Sequence, residues 1–227
     1  MADLALLGAH RKMQQALWAY AVVLPVLAGL ALWFSSLLSL VAMSALSFVF
    51  LPVVEYMLHR YALHPPMLYL DSRFTARIWI RIHYAHHDRP TMAEVILASP
   101  ASLFAIIAVV CIPVALIRPE LTFAGAFGVA SAFLYYEIVH FLCHLPHPPA
   151  TRYFAERQRL HMLHHFHNEK HNYGICFSIF DKWIGTHAGS ASAAPRSATV
   201  RNLGYDDAKI QEKPLVRREY ERRYSRR

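Results

Sequence analysis

The sequence predicts an all-α integral membrane protein, a four-helix bundle made of two hairpins with a helical cap on its cytoplasmic side. Two observations lead to this prediction. Hydrophobic residues make up 56% of the 227 residues and charged residues only 17%, and the apolar residues are gathered in long runs. Histidines, of which the chain has 15, cluster at the ends of these runs and in the polar connections that follow them.

The first hairpin is predicted from the run Met13 to Val54, which contains no charged residue. A helix needs about 20 residues to cross the hydrocarbon core of a bilayer, so this run is long enough to cross twice. The pair Ser35-Ser36 marks the turn. We therefore expect one helix from about Ala16 to Phe34 and a second helix from about Leu37.

The second hairpin is predicted from two further apolar runs, Val95 to Ile117 and Leu121 to Phe141. Arg118-Pro119-Glu120 lies between them and marks the turn. The alternative, a soluble protein with these helices in its core, is disfavoured because a chain of 227 residues has too little polar cover for four such helices.

Positive charge predicts the orientation. With four crossings, the N-terminus, the connection from Arg60 to Glu94 and the region from Leu145 onward lie on one face, which carries every Lys and Arg except Arg118. Because positive charge marks the cytoplasmic side, both termini and all histidine clusters are expected there. The composition, rich in Ala and Arg, favours a bacterial inner membrane over the endoplasmic reticulum.

We expect three regions: an N-terminal arm over 1–15, a membrane domain with its histidine-bearing cap over 16–187, and a basic tail over 188–227. Near its start the tail contains GSASAAPRSA, a composition typical of a linker, and the tail is expected to make few contacts with the site. The net charge of +8 is explained by a solvated segment near anionic headgroups. Nucleic-acid binding is not expected, since no recognition motif accompanies the basic residues.

Two cytoplasmic helices are predicted to carry the histidine motifs. Pro65-Pro66 ends the second helix, and SRFTARIWIRIHYAHH then reads as an amphipathic helix along the membrane surface. A Pro-rich turn, LPHPPA, precedes the helix that ends with HMLHH.

The histidines form an internal repeat. Offsets of 0, +3 and +4 fall on one face of a helix, so each H-x-x-H-H motif is expected to direct three imidazoles the same way. The motif occurs twice, and a histidine pair precedes each copy. The candidate metal ligands are His59 and His64; His83, His86 and His87; His140 and His144; and His161, His164 and His165.

These ten imidazoles indicate a metal centre. An all-nitrogen shell suits zinc, iron, copper or nickel rather than magnesium or calcium. A structural zinc site closes at four ligands, whereas ten histidines suffice for two ions with five or six ligands each and room for an external ligand. An acyl chain lying among the helices would reach such a centre, and oxidation of its C–H bonds requires a redox metal with O2. Iron is therefore expected, although the spacing does not distinguish iron from zinc.

Other polar residues near the motifs are expected to play supporting parts. Glu55, one turn before His59, either accepts a hydrogen bond from the second ring nitrogen of His59 or is an acid at the surface. His167, His171 and His187 are expected to support the site or lie at the surface rather than bind metal.

The four histidine motifs, in this order, resemble the signature of the fatty acid hydroxylase and sterol desaturase superfamily of membrane di-metal oxygenases. The similarity extends from about Leu51 to Thr186. Within the superfamily the chain looks most like the fatty acid 2-hydroxylases. Two stretches carry this closer likeness: His59-Arg60-Tyr61 leading to His64, and HHFHNEKHNYGICFSIFD around and after the second triplet.

The resemblance implies hydroxylation of a lipid acyl chain, at position 2 of a fatty acid or sphingolipid, with O2 and two electrons. It implies that the ten histidines bind two metal ions; iron is expected, and zinc can take its place in isolated protein. Eukaryotic members often carry a fused cytochrome b5-type domain. Because few residues precede the first helix here, a separate electron donor of the ferredoxin or cytochrome b5 type is expected.

Two alternatives stay open. The same centre could instead act as a desaturase, or hydroxylate a sterol, a carotenoid or a lipid headgroup. A membrane protein that binds or transports metal is less favoured, because transporters place polar ligands at mid-membrane depth. In this sequence the middles of the apolar runs lack such ligands.

Overall fold

A computed structural model of the chain describes residues 2–65, 72–97 and 100–203, together with 218, 221 and 222. Within these residues the regular secondary structure is helical throughout, which confirms the all-α prediction. The α-helices in chain order are α1 Ala2–Phe34, α2 Leu37–Met57, α3 Arg73–Trp79, α4 Ala85–Asp88, α5 Ala93–Ile96, α6 Pro100–Ile117, α7 Thr122–Cys143, α8 Arg152–Phe166 and α9 Ile179–Ile184.

The predicted turns lie where the sequence placed them. Helix α1 ends at Phe34 and α2 begins at Leu37, where the Ser36 hydroxyl accepts a hydrogen bond from the Ser39 amide at 3.1 Å and caps the new helix. A short 3-10 turn, Pro119–Leu121, separates α6 from α7. Helix α1 begins at Ala2, so the predicted N-terminal arm is helical and continuous with the first span.

Three helical stretches are long and apolar enough to cross a membrane: Arg11–Phe34, Leu37–Leu63 and Pro119–Cys143. The chain is therefore a membrane protein. The apolar stretch of α6, Ser102–Ile117, is shorter than these three. Of the four predicted spans, three are thus candidate membrane helices by length and composition, and a crossing by α6 stays a prediction.

The described residues form two compact units. The first comprises Met1–Pro52 and Leu97–Phe141. In its core α1, α6 and α7 meet through Tyr20, Leu103 and Ala130, which are almost fully buried. Within this unit the buried carboxylate of Glu137 accepts a 2.8 Å hydrogen bond from the Tyr20 hydroxyl, which offsets part of the cost of burying it.

Helices α2 and α7 approach each other closely at Gly128. A Cβ atom on Gly128 would lie 2.7 Å from both the Met43 carbonyl oxygen and the Ser47 hydroxyl oxygen. No side chain fits at such a distance, so the absence of a Cβ is what allows the two backbones to come together. The apolar residues of α1 and α2 that face away from this packing, such as Trp33 and Leu38, are exposed and suit contact with lipid.

The second unit comprises Val53–Ile96 and Leu142–Arg227. Its hydrophobic core is built around α3 and consists of Ala76, Trp79, Ile80, Tyr84, Ala85, Val95 and Leu203. The Trp79 indole donates a 2.7 Å hydrogen bond to the Leu63 carbonyl, which ties α3 to the end of α2. The opposite side of α3 exposes Phe74 and Ile78. A helix at the start of the predicted stretch is confirmed, whereas its amphipathic character stays a prediction. Its position along a membrane surface stays a prediction.

Two π-helical turns were not predicted from the sequence. Helix α2 continues as the turn Leu58–Leu63, and α3 continues as Ile80–Tyr84, which leads directly into α4. In the first turn the His64 amide donates to the His59 carbonyl at 3.1 Å, the i to i+5 pattern of a π-helix. This wider turn brings residues five apart onto the same side. The His59 and His64 rings consequently lie 4.8 Å apart, centre to centre.

Candidate metal centre

Nine of the ten candidate ligands lie in the second unit, and the structure gathers eight of them into two groups. The first group, all buried, is His59, His64, His87 and His164. The second group comprises His86, His144, His161 and His165. Within each group, one ring nitrogen per residue lies within 4.8 Å of the others.

The two remaining candidates lie near these groups in the sequence or in space. The ring of His83 lies 4.9 Å from that of His59, 4.8 Å from that of His64 and 4.7 Å from that of His87, so His83 adjoins the first group. His140 belongs to the last turn of α7 in the other unit, four residues before His144. Its role as a ligand stays a prediction.

Each H-x-x-H-H motif is divided between the two groups, which differs from the expectation that its three imidazoles all point the same way. On α8, His164 joins the first group while His161 and His165 join the second. Of the other motif, His87 joins the first group and His86 the second. The two groups are therefore interleaved, and His87 and His165 bring them together with ring centres 4.4 Å apart. This proximity favours one centre holding two ions over two independent sites.

Ring nitrogens in the second group converge on one point. The His161 Nε2 atom lies 2.9 Å from the His144 Nε2 atom and 3.0 Å from the His165 Nε2 atom. A single proton on His161 cannot satisfy two such neighbours at once, whereas one metal ion accepts a lone pair from all three. The residues of this group therefore fit a metal ion.

Backbone carbonyls orient the first group. The Nδ1 atoms of His59 and His164 lie 2.5 and 2.6 Å from the carbonyl oxygens of Tyr173 and His171. His87 Nδ1 lies 3.4 Å from the Val200 carbonyl. Since a carbonyl only accepts, Nδ1 of each ring carries the proton and Nε2 keeps its lone pair. All three imidazoles therefore present the same atom to an ion.

The loop that supplies two of these carbonyls is held by buried polar side chains. Asn172 adopts the left-handed backbone conformation, with φ of 56°, which asparagine tolerates better than most residues. Its side chain donates to the Ala188 carbonyl and accepts from the Ala188 amide, both at 2.9 Å. A Cβ on Gly174 would lie 1.9 Å from the Phe177 carbonyl oxygen, so only glycine fits there.

The electrostatics of the site favour neutral imidazoles. Burial, with a contribution from neighbouring imidazoles, holds the pKa of His64, His83, His87 and His165 well below the usual value. Neutral rings are the form that binds metal. The Nε2 atoms of His64 and His83 are also buried without a hydrogen-bond partner, which is costly unless a metal ion binds them. The first group thus fits a metal ion as well.

Glu55 neither accepts a hydrogen bond from His59 nor lies at the surface, the two roles that the sequence suggested for it. Its side chain is buried, and its two carboxylate oxygens accept hydrogen bonds from the amides of Cys176 and Phe177 at 3.0 and 2.9 Å. The Tyr173 carbonyl, rather than Glu55, takes the Nδ1 hydrogen of His59. Glu55 therefore anchors the loop before α9, a role that the spacing of Glu55 and His59 could not reveal.

The expectation that the tail makes few contacts with the site is wrong for the described residues up to 203. Val200 faces His87, as described above, and the Asn168 side chain donates to the Pro195 carbonyl at 2.8 Å. His167 Nε2 lies 2.8 Å from the Ala194 carbonyl, in line with a supporting role. His171 contributes its carbonyl, and neither it nor His187 belongs to a group of candidate ligands among the described residues.

A protein-family model described as fatty acid hydroxylase matches residues 44–186. This chain belongs to the fatty acid hydroxylase family. The matched stretch contains all four histidine motifs, which confirms the resemblance drawn from them.

Several relatives of this fatty acid hydroxylase family member have names that specify a lipid. The human "Fatty acid 2-hydroxylase" is 26% identical over 132 residues, which cover 57% of this chain and 35% of the relative. The Arabidopsis thaliana "Dihydroceramide fatty acyl 2-hydroxylase FAH2" is 27% identical over 180 residues, which cover 77% of this chain and 71% of the relative. The Saccharomyces cerevisiae "Ceramide very long chain fatty acid hydroxylase SCS7" is 27% identical over 142 residues, which cover 60% of this chain and 35% of the relative.

The chain thus spans about a third of the human and yeast relatives, at 35% of each. A solved structure titled "Full length scs7p (only hydroxylase domain visible)" superimposes with a TM-score of 0.68 at 22% identity, over 79% of this chain and 67% of that one. This likeness supports the helical fold described above for this chain. The relatives named here are eukaryotic and give no support to a bacterial membrane.

Proposed function

We propose that this protein is a membrane di-iron oxygenase that hydroxylates a lipid acyl chain, at position 2 of a fatty acid or sphingolipid. The observation that carries the proposal is the interleaving of two imidazole groups, buried except for the half-buried His144, which His87 and His165 join with ring centres 4.4 Å apart. The names of the relatives supply the substrate class.

The ten histidines hold the ions in this proposal: His59, His64, His83, His87 and His164 around one ion, and His86, His140, His144, His161 and His165 around the other. Two iron ions bound there supply, with O2, the oxidising power that converts a C–H bond into C–OH. The balanced reaction takes up one O2, two electrons and two protons for each acyl chain, and releases one water.

The chain itself orients the ligands and excludes water. The carbonyls of His171, Tyr173 and Val200 hold three rings with Nε2 directed inward. The Tyr173 ring covers the first group, with its centre 4.9 Å from the His64 ring and 5.7 Å from the His59 ring. Tyr173 itself is 7% exposed, so solvent has little access past it. Shielding of this kind protects a reactive centre from side reactions.

The remaining parts of the proposal follow from the family resemblance and the charge distribution. The apolar helices, including α6 as a fourth span, would form a bundle that receives the acyl chain. Both termini and the metal centre would face the cytoplasm. A separate ferredoxin or cytochrome b5-type protein would deliver the electrons, and zinc could replace iron in isolated protein.

The test is a comparison of the lipids of host cells that express either the intact protein or a double variant, His164→Ala with His165→Ala. A mass gain of one oxygen on an acyl-containing lipid, found only with the intact protein, is expected, and fragmentation should place that oxygen on carbon 2. Loss of two hydrogens would indicate a desaturase instead. If no lipid differs although metal is bound and an electron donor is supplied, the oxygenase proposal fails.

A further inference from the structure

The loop that orients the first group is itself fixed by Asp181. This residue is fully buried, and its carboxylate accepts three hydrogen bonds. One oxygen accepts from the Tyr173 amide at 2.9 Å and the Thr186 hydroxyl at 2.7 Å, and the other accepts from the Gly174 amide at 2.7 Å. Asp181 thus holds two consecutive backbone amides at the point where the loop passes the metal groups.

These contacts reach two ligands of the first group. Tyr173, whose amide bonds Asp181, is the residue whose carbonyl lies 2.5 Å from His59 Nδ1. Two residues earlier, the His171 carbonyl lies 2.6 Å from His164 Nδ1. One carboxylate therefore secures the stretch of backbone from which two imidazoles take their orientation.

The second group takes its geometry from a different part of the chain. His161 and His165 lie one turn apart on α8, so the helix backbone sets their separation. Their Nε2 atoms already lie 3.0 Å apart. A shift of the 171–174 backbone would therefore displace ligands of the first group and leave this pair in place.

We propose that Asp181 is a positioning residue for the first metal group alone, so that the two metal ions are held by separable parts of the structure. This inference rests on the proposed two-metal centre. In Asp181→Asn, the oxygen that serves Tyr173 and Thr186 stays an acceptor, while the new NH2 group faces the Gly174 amide and repels it. The loop must move, and the His59 and His164 rings lose their fixed direction.

The experiment measures metal bound per chain, and the affinity of each ion by competition with a chelator. The intact protein is expected to bind two ions. Asp181→Asn is expected to keep one ion at unchanged affinity and to bind the other about 10- to 100-fold more weakly, the usual effect of losing a group that orients a ligand. Ser178→Ala is the matched control. Ser178 lies in the same loop and accepts a partly buried 2.5 Å hydrogen bond from Arg157 of α8, but makes no bond to residues 171–174, so this variant should bind both ions normally.

Combination with ligand variants identifies the affected ion. Asp181→Asn added to His164→Ala, a first-group variant, should cause no further loss beyond the ion already missing. Added to His161→Ala, a second-group variant, it should weaken the ion that remains. Loss of both ions in Asp181→Asn alone, or of neither, would overturn the inference.

Failure to fold and failure of the proposed function are both recognisable. If Asp181→Asn does not fold, Thr186→Val replaces it, since this variant removes one of the three hydrogen bonds and should weaken the same ion to a smaller degree. An unchanged affinity in that variant would count against the inference. An intact protein that binds no metal would overturn the proposed metal centre itself, whatever the variants do.

Discussion

The Glu55 carboxylate accepts a 3.0 Å hydrogen bond from the backbone amide of Cys176, 121 residues further along the chain. Its second oxygen accepts from the Phe177 amide at 2.9 Å. The bonds join the end of α2 to the loop that orients the first metal group. A pair so distant in sequence closes a long segment of chain around one buried carboxyl group.

Replacing Glu55 by Gln should destabilise the protein. The amide NH2 group cannot accept from an N–H donor, so one of the two backbone amides is left unsatisfied at a cost of about 1–3 kcal/mol. Thermal unfolding in detergent micelles checks this as a lower midpoint. Glu156→Gln is the control, because the exposed ion pair of Glu156 with Arg159 contributes less than about 1 kcal/mol. Equal midpoints for the two variants would contradict the prediction.

Gly174→Ala should disrupt the loop. The added Cβ would meet the Phe177 carbonyl oxygen at 1.9 Å, and because this atom belongs to the backbone it cannot move aside cheaply. We expect a loss of at least about 1–3 kcal/mol in the free energy of unfolding. Gly29→Ala on α1, where nothing lies within 4 Å of the new atom, should instead leave the midpoint unchanged or raise it.

Gly128→Ala should separate α2 from α7 within the first unit. Its Cβ would lie 2.7 Å from the Met43 carbonyl oxygen, again a backbone atom. Gly125→Ala on the same helix meets the end of the flexible Met43 side chain at 3.3 Å and the Cys111 Sγ atom at 3.8 Å, an ordinary contact distance. The midpoint of thermal unfolding should therefore fall clearly further for Gly128→Ala than for Gly125→Ala. The reverse order would show that the helices do not pack as described.

Two hydroxyl groups of the tail donate hydrogen bonds to the side chain of Glu169. Its buried carboxylate accepts from Ser197 at 3.0 Å and from Thr199 at 2.7 Å. A Ser197→Ala, Thr199→Val double variant removes both donors and should cost about 1–3 kcal/mol or more, because the charge then stays buried without them. Denaturant unfolding measures this loss. Ser192→Ala, which removes an exposed hydroxyl, should have no measurable effect.

Acid should destabilise the metal-free protein. The pKa values of His64, His83, His87 and His165 lie well below the usual 6.5 in the folded state. As the pH falls below about 6.5, the unfolded chain takes up protons first, so the stability present above that pH is lost. The unfolding midpoint of chelator-treated protein should decrease steadily from pH 7.5 to pH 5.5. A constant or rising midpoint would show that these rings are not buried in neutral form.

Local patterns in the sequence predicted much of the fold. Runs of apolar residues located three candidate spans and both turns, since the length needed to cross a bilayer and the breaks at Ser35-Ser36 and Pro119 are local features. The helix from Arg73 was predicted for the same reason. The spacing of histidines on a helix identified the candidate ligands, and eight of the ten lie in the two groups of the second unit.

The missed features depend on contacts between distant residues or on backbone geometry. The choice of His164 for one group and His165 for the other is decided by which rings face them from other helices, which spacing on α8 alone cannot specify. The carbonyls of Tyr173 and Val200 carry no sequence signal, because every residue has one. Asn172 and Gly174 offered the only local hint, as residue types that tolerate an unusual or crowded backbone.

The π-helical turn at Leu58–Leu63 bears on how the two halves of the repeat in this chain correspond. Four residues separate His59 from His64, but only three separate His140 from His144. Widening one helical turn absorbs one extra residue without rotating the histidine that follows it. The two halves of the repeat can therefore differ in length by one residue between the paired histidines, and an alignment of the halves requires a one-residue gap at this turn.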